Sequence, residues 1–244
     1  MAHHVLILAA GKGIRLKSKT PKQFLEIHSL PIIMHSMKAF FKADPQSKIY
    51  VALSQDYVEK WSKLCEKYEF DIIHQIYIGG STRQESVYLG LDLIYNSGDE
   101  LSKQDLVSIH DSARPFINSK FILELISSAQ KRGNAVPVMN LKSALRKVDR
   151  NNIFNSTGKN REEYIVTQTP QVFTFHTIYN NYRDIMLCEY SNIFDDATVY
   201  DFLKNKTPIN LVKGREYNIK ITTELDYVIG KTICEFLKIS NDYC

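Results

Sequence analysis

Short apolar runs alternating with longer helical patterns constrain this chain more than any other feature. "HVLILAA" (4–10), "KIYVALS" (48–54), "DIIHQIYIG" (71–79), "DLVSIHD" (105–111) and "NAVPVMN" (134–140) read as strands. Several are continuous rather than alternating, as expected of strands covered on both faces. Helical periodicity fills the intervals at about 31–43, 56–68, 82–96 and 119–132. Ser81-Thr82 ahead of Glu85 predicts a capped start for the third of these helices. The repetition implies an α/β fold: a mostly parallel twisted sheet, Rossmann-like, with helices on both faces.

The rhythm breaks after Asn140. Residues 141–167 are polar and charged, with "DRNN" and "STGKN" as turn signals, and read as a protruding hairpin arm. Helical character returns at 174–190 and 195–204, followed by a strand at 208–213 and a closing helix from about 223. One domain over 1–244 with one excursion is the expectation, and 44% hydrophobic content supports a core of that size.

Composition excludes some classes. A net charge of +4 is too mild to indicate nucleic-acid binding. Cys65, Cys188, Cys234 and Cys244 are scattered without metal-ligand spacing and read as reduced thiols of a cytoplasmic protein. The apolar run "VLILAA" has six residues against the roughly twenty that span a bilayer, and no cationic segment precedes it. His3 and His4 are assigned no role.

In an open parallel sheet, ligands bind beyond the carboxyl ends of the strands, so the loops there carry the functional signal. "LAAGKGIRLKSKTPKQ" (8–23) places five cations between Gly11 and Lys22, with no carboxylate before Glu26. Gly11 and Gly13 would let backbone N–H groups approach phosphate oxygens; the alternative is a solvated basic loop. It is no dinucleotide fingerprint, since Leu16 stands where the third glycine would be, and no Walker A loop. "GGSTRQES" (79–86) sets glycines, hydroxyls and Arg83 at a helix start, suited to an anion or to a plain capped turn. "HDSARP" (110–115) ends an apolar strand on Asp111, which suggests a metal ion, ribose hydroxyls, or local pairing with Arg114. Lys220 lies between Ile219 and Ile221, either aimed at a ligand or at water. His110 reads as structural, and no nucleophile–base arrangement stands out. Cations and glycines without a base suit phosphate chemistry, because a dianionic phosphate monoester attacks without one.

"AAGKGIRLKSKTPKQFL", "GGSTRQESVYLGL", "HDSARPFI", "TQTPQVF", "DDATVYDFL" and "NIKITTELD" occur in the order found in the 2-C-methyl-D-erythritol 4-phosphate cytidylyltransferase family, which includes ribitol-5-phosphate cytidylyltransferases. The resemblance spans about residues 5–230. It implies a nucleotidyltransferase fold, a homodimer made through the arm, and transfer of CMP from CTP to a polyol phosphate with Mg²⁺. It implies that Arg15 and Lys22 stabilise the pentacoordinate transition state, and that Lys220 and Arg161 position the acceptor phosphate, Arg161 serving the partner's site. Ala9, Ala10, Gly11, Gly13, Gly80, Ser81 and Ser86 match the CTP loops. Asp111 and Arg114 match a strand-end pair, with Asp111 also a metal candidate, and Thr169 matches a threonine near the acceptor.

The sequence departs from the family pattern at Asn140-Leu141, where an Asp-Thr pair usually faces the acceptor. A site that hydrogen-bonds substrate hydroxyls discriminates strongly, and an apolar residue there does not. Methylerythritol phosphate is therefore the expected acceptor, with ribitol phosphate or another polyol phosphate as the alternative. A non-catalytic nucleotide-binding protein is disfavoured, because Arg15, Lys22, Arg161 and Lys220 are all present.

Overall fold

The computed structural model describes residues 1–11, 20–149, 152–188, 193–202 and 208–239. In chain order the elements begin with β1 (His3–Leu8), β2 (Glu26–Ile27), β3 (Leu30–Pro31), α1 (Ile32–Ala43), β4 (Lys48–Leu53), α2 (Val58–Lys67) and β5 (His74–Ile78). They continue with α3 (Arg83–Tyr95), β6 (Leu106–Asp111), α4 (Ser119–Arg132), β7 (Asn134–Asn140), β8 (Leu145–Asp149), β9 (Asn152–Lys159) and β10 (Ile165–Thr167). The last are β11 (Gln171–Thr174), α5 (Phe175–Met186), α6 (Asp196–Tyr200), β12 (Leu211–Lys213) and α7 (Glu224–Ile239).

The main sheet runs β10-β7-β11-β6-β1-β4-β5, with β12 beside β7. β1 pairs in parallel with β4 on one side and β6 on the other. The chain therefore builds outward from β1 in one direction and then returns to the opposite side, which makes the carboxyl end of β1 the switch point. The helical expectations hold within a few residues, apart from the segment at 195–204, where α6 is a single short helix. β11 is a strand absent from the sequence reading. It lies antiparallel between β6 and β7, and its four residues are too few to show a period.

Both faces of the sheet are covered, as the continuous apolar runs require. Val5 and Ile7 of β1 pack with Ile33, Met37, Phe121 and Leu125 of α1 and α4. Leu6 points the other way, into Val87, Leu91 and Ile178 of α3 and α5. Each such buried side chain contributes about 1.5–3 kcal/mol relative to exposure. Local signals set the crossovers: Asn118 caps α4 by accepting from Phe121 N, and Gly133, at φ +81°, ends it in the left-handed region that turns the chain into β7. His3 and His4 are structural after all. Both are buried in β1, and the His4 ring lies between Tyr50 and Phe175.

The polar excursion forms the expected arm. β8 and β9 make a two-stranded antiparallel sheet of their own, and β10 returns to the main sheet along β7.

Candidate functional site

The carboxyl ends of β1, β5 and β6 open onto a cleft of about 600 Å³. Ala9, Ala10, Gly11, Lys22, Gly80, Ser81, Ser86, Asp111 and Lys220 all line it, so residues from both ends of the sequence share one wall. Arg15 and Gly13 lie outside the described residues. Arg161 is not among the lining residues. It is exposed at the foot of the arm and donates to Lys142 O at 2.8 Å.

The glycine loop after β5 is held close to the loop after β1. Gly79 N donates to Leu53 O at 2.9 Å, and a Cβ at Gly79 would sit 2.5 Å from that of Ala10, so only glycine fits. Thr82 caps α3, and the Glu85 carboxylate accepts from both Ser81 N and Ser81 Oγ at 2.7 Å, the reciprocal arrangement the sequence signals. Ser86 Oγ donates to Thr82 O at 2.8 Å. Both serine hydroxyls are thus oriented by their own turn, and both residues line the cleft.

Asp111 is the carboxylate of the cleft lining, and its oxygens are divided between two cations. Arg83 Nε donates to Oδ1 at 3.1 Å and Lys220 Nζ to Oδ2 at 2.6 Å. Burial alone pushes its carboxyl up, yet Arg83 and Lys220, with Arg114 behind them, hold it far below the usual carboxylate range. Arg83 reaches further, gripping fully buried Asp196 through both terminal nitrogens at 2.9 and 2.7 Å, while Tyr182 donates to the same carboxylate. Burial disfavours the charge on Arg83, and the two carboxylates outweigh it, raising its pKa well above the ordinary value.

Lys220 reaches the cleft because its neighbour is anchored elsewhere. Ile221 donates its N–H to Ala113 O at 2.8 Å and buries its side chain with Phe116, Ile27 and Ile32, leaving the lysine on the cleft side. Local pairing of Asp111 with Arg114 is not what forms. Arg114 turns to Asn218 O at 2.7 Å instead. Thr169 is buried, and its hydroxyl accepts from Asp111 N at 3.1 Å and lies 3.1 Å from His110 Nδ1. It supports the end of β6 and is not among the residues that line the cleft. His110 is structural as expected: burial pushes its imidazole down to about 3, so it is neutral, and its Nε2 lies 3.1 Å from Arg114 O.

Among the described residues no group of three His, Cys, Asp or Glu side chains forms a metal cage. The carboxylate of the cleft lining, Asp111, is already shared by Arg83 and Lys220, so a divalent cation there would be carried largely by substrate phosphates.

The family described as IspD, 2-C-methyl-D-erythritol 4-phosphate cytidylyltransferase, matches residues 3–235. The chain belongs to this family. It is a nucleotidyltransferase, a CTP-using cytidylyltransferase. It is 36% identical over 232 residues to the 2-C-methyl-D-erythritol 4-phosphate cytidylyltransferase of Azobacteroides pseudotrichonymphae genomovar. CFP2, covering 95% of this chain and 98% of that one. It is 35% identical to the Bacteroides thetaiotaomicron protein of the same name, covering 96% and 100%. The enzyme of that name from Thermus thermophilus superimposes with a TM-score of 0.73 at 26% identity, covering 96% and 100%. The 4-diphosphocytidyl-2C-methyl-D-erythritol synthase of Anaerococcus prevotii DSM 20548 superimposes at 0.79 and 23%, covering 96% of each chain, which supports the fold.

For a cytidylyltransferase, the residue that sequence reasoning passed over is Asp196, and Arg83, read from the sequence as suited to an anion, is committed to two carboxylates of its own chain. Both stand inside the quoted motifs, but the bond between them spans 113 residues and has no local signature. Asn140 ends β7 exposed, beside the foot of the arm and paired with Ile165 of β10.

Proposed function

We propose that the cleft binds CTP between the loop at Ala9–Gly11 and the loop at Gly80–Ser86, and that the phosphate of 2-C-methyl-D-erythritol 4-phosphate attacks its α-phosphorus, releasing pyrophosphate in isoprenoid precursor synthesis. The observation that carries this reading is the convergence of Lys22, Lys220 and two glycine loops on one cleft at the switch point of the sheet. Lys22, with Arg15, would stabilise the charge that develops at the α-phosphorus. Lys220 keeps N–H groups beyond the one given to Asp111 and would orient the acceptor phosphate. No general base is required, because the attacking phosphate is largely dianionic at neutral pH. Mg²⁺ bound with Asp111 would neutralise triphosphate charge.

The reading extends to a homodimer in which Arg161 on the arm serves the partner's acceptor site. The arm's exposed Val148, Tyr164, Ile165 and Val166 support that interface. The cytoplasm is the proposed location; the described cysteines are free, and no described helix is long and apolar enough to cross a membrane. Pyrophosphate release is measured with CTP, Mg²⁺ and either methylerythritol phosphate or ribitol phosphate. Release with methylerythritol phosphate is expected, and none with it contradicts the reading.

A further inference from the structure

Gln23 closes the first glycine-and-cation stretch without having been given a role there, yet it is the most enclosed polar side chain of the cleft wall, 1% exposed. It sits in a one-turn 3₁₀ helix, Lys22–Phe24, directly after Lys22. Its amide Nε2 donates to Ala9 O at 2.7 Å and reaches Gly11 O at 3.5 Å. Reversing the amide would set oxygen against two carbonyl oxygens, so this orientation is fixed by the backbone it meets. Ala9 N is already bonded to Ala52 O at 3.0 Å, so the Ala9 residue is held from β4 on one side and from Gln23 on the other. On the far side of Gln23, Phe24 is buried against Trp61 and Tyr57. The turn is closed by Phe24 N to Pro21 O and Leu25 N to Lys22 O.

Gln23 Oε1 is buried and has no hydrogen-bond partner among the described residues. An orphaned buried acceptor is a cost to folding, so this amide is not optimised for stability alone. The cost is borne at the junction between the first glycine loop and the residue assigned to the phosphates, and its Nε2 spans that junction.

We propose that Gln23 is a positioning residue that fixes Lys22 relative to the backbone at Ala9–Gly11, and so sets the distance between the lysine and the bound triphosphate. The inference rests on the reading of Lys22 as a phosphate contact. A misplacement of about 1 Å at a reacting centre costs up to about a hundredfold in rate, so the loss of one amide donor here reads out in turnover.

The test is a double-mutant cycle on kcat for the full chain with CTP, Mg²⁺ and methylerythritol phosphate, using Gln23→Met, Lys22→Ala and both together. Methionine keeps the length and removes the donor and the orphaned acceptor, so its melting temperature reports on folding separately. Lys22→Ala is expected to lower kcat by about 10²–10³-fold. Gln23→Met is expected to lower it by about tenfold or more alone, and by less than about threefold in the Lys22→Ala background, because its effect passes through the lysine. Additive losses, or a Gln23→Met enzyme with wild-type kcat beside a crippled Lys22→Ala, overturn the inference and leave the function standing. A Lys22→Ala enzyme with wild-type kcat overturns the Lys22 reading and the inference with it. Should Gln23→Met fail to fold, Gln23→Glu decides: a protonated carboxyl donates to Ala9 O and an ionised one cannot, so kcat relative to wild type rises as pH is lowered from about 8 to about 6. A flat ratio contradicts the proposal.

Discussion

The cleft and the arm are built on opposite terms. In the cleft, charge is buried and matched inside one chain: Asp111 to Arg83 and Lys220, Arg83 onward to Asp196. In the arm, β8 and β9 have no third strand among the described residues, and Val148 is half exposed, as are Tyr164, Ile165 and Val166 at its foot. A two-stranded hairpin is marginal in water without a surface to pack on. The first region is held by contacts distant in sequence, whereas the second is a local hairpin that leaves apolar side chains exposed. A site that places charge against a triphosphate needs the former; an element that completes a neighbour's site can be the latter.

The contrast breaks if the cleft does not depend on its buried pairing. Asp196→Ala would leave Arg83 half-matched and the Tyr182 hydroxyl without its acceptor, and is expected to cost about 3–5 kcal/mol in denaturant unfolding. A loss below about 1 kcal/mol would mean the pair is solvated. A sharper version lies at the other end of β1, where His4 is fully buried with both ring nitrogens unpartnered. Burial pushes its imidazole down from 6.5 to about 4, so the unfolded chain binds a proton that the folded chain refuses. Folding stability should therefore fall as pH drops from about 6.5 toward about 4. His4→Leu should shallow that slope and raise stability at pH 7 by about 1–3 kcal/mol, measured by unfolding across pH. The arm carries the smallest effect on folding. Val148→Asp with Ile165→Asp is expected to weaken self-association by about tenfold or more in sedimentation, with the melting of the main domain nearly unchanged.

Much of this fold is legible in the chain because its signals are local. Continuous apolar runs point to the two-sided sheet, Thr82 and Glu85 to the start of α3, and "DRNN" and "STGKN" to the arm. β11 escapes because its four residues carry no period and its place is set by β6 and β7. The loops facing the cleft are also legible, since glycines and cations after strands are visible one loop at a time. What they bond to is not. Thr169 bonds to Asp111 N, Arg114 turns to Asn218, and Arg83 joins two carboxylates, through contacts that span 28 to 113 residues. His3 and His4 are given no role from the sequence because their burial is set by distant partners, Tyr50 and Phe175 for His4.

The central claim, that a self-contained cleft is completed by a neighbour's arm, is tested most directly by a purified heterodimer of one Lys22→Ala subunit and one Arg161→Ala subunit. If the arm acts across the interface, one of the two sites carries both changes and the other carries neither. Pyrophosphate release should then be about half that of the wild-type dimer. Activity no higher than that of the two homodimeric variants would contradict the account.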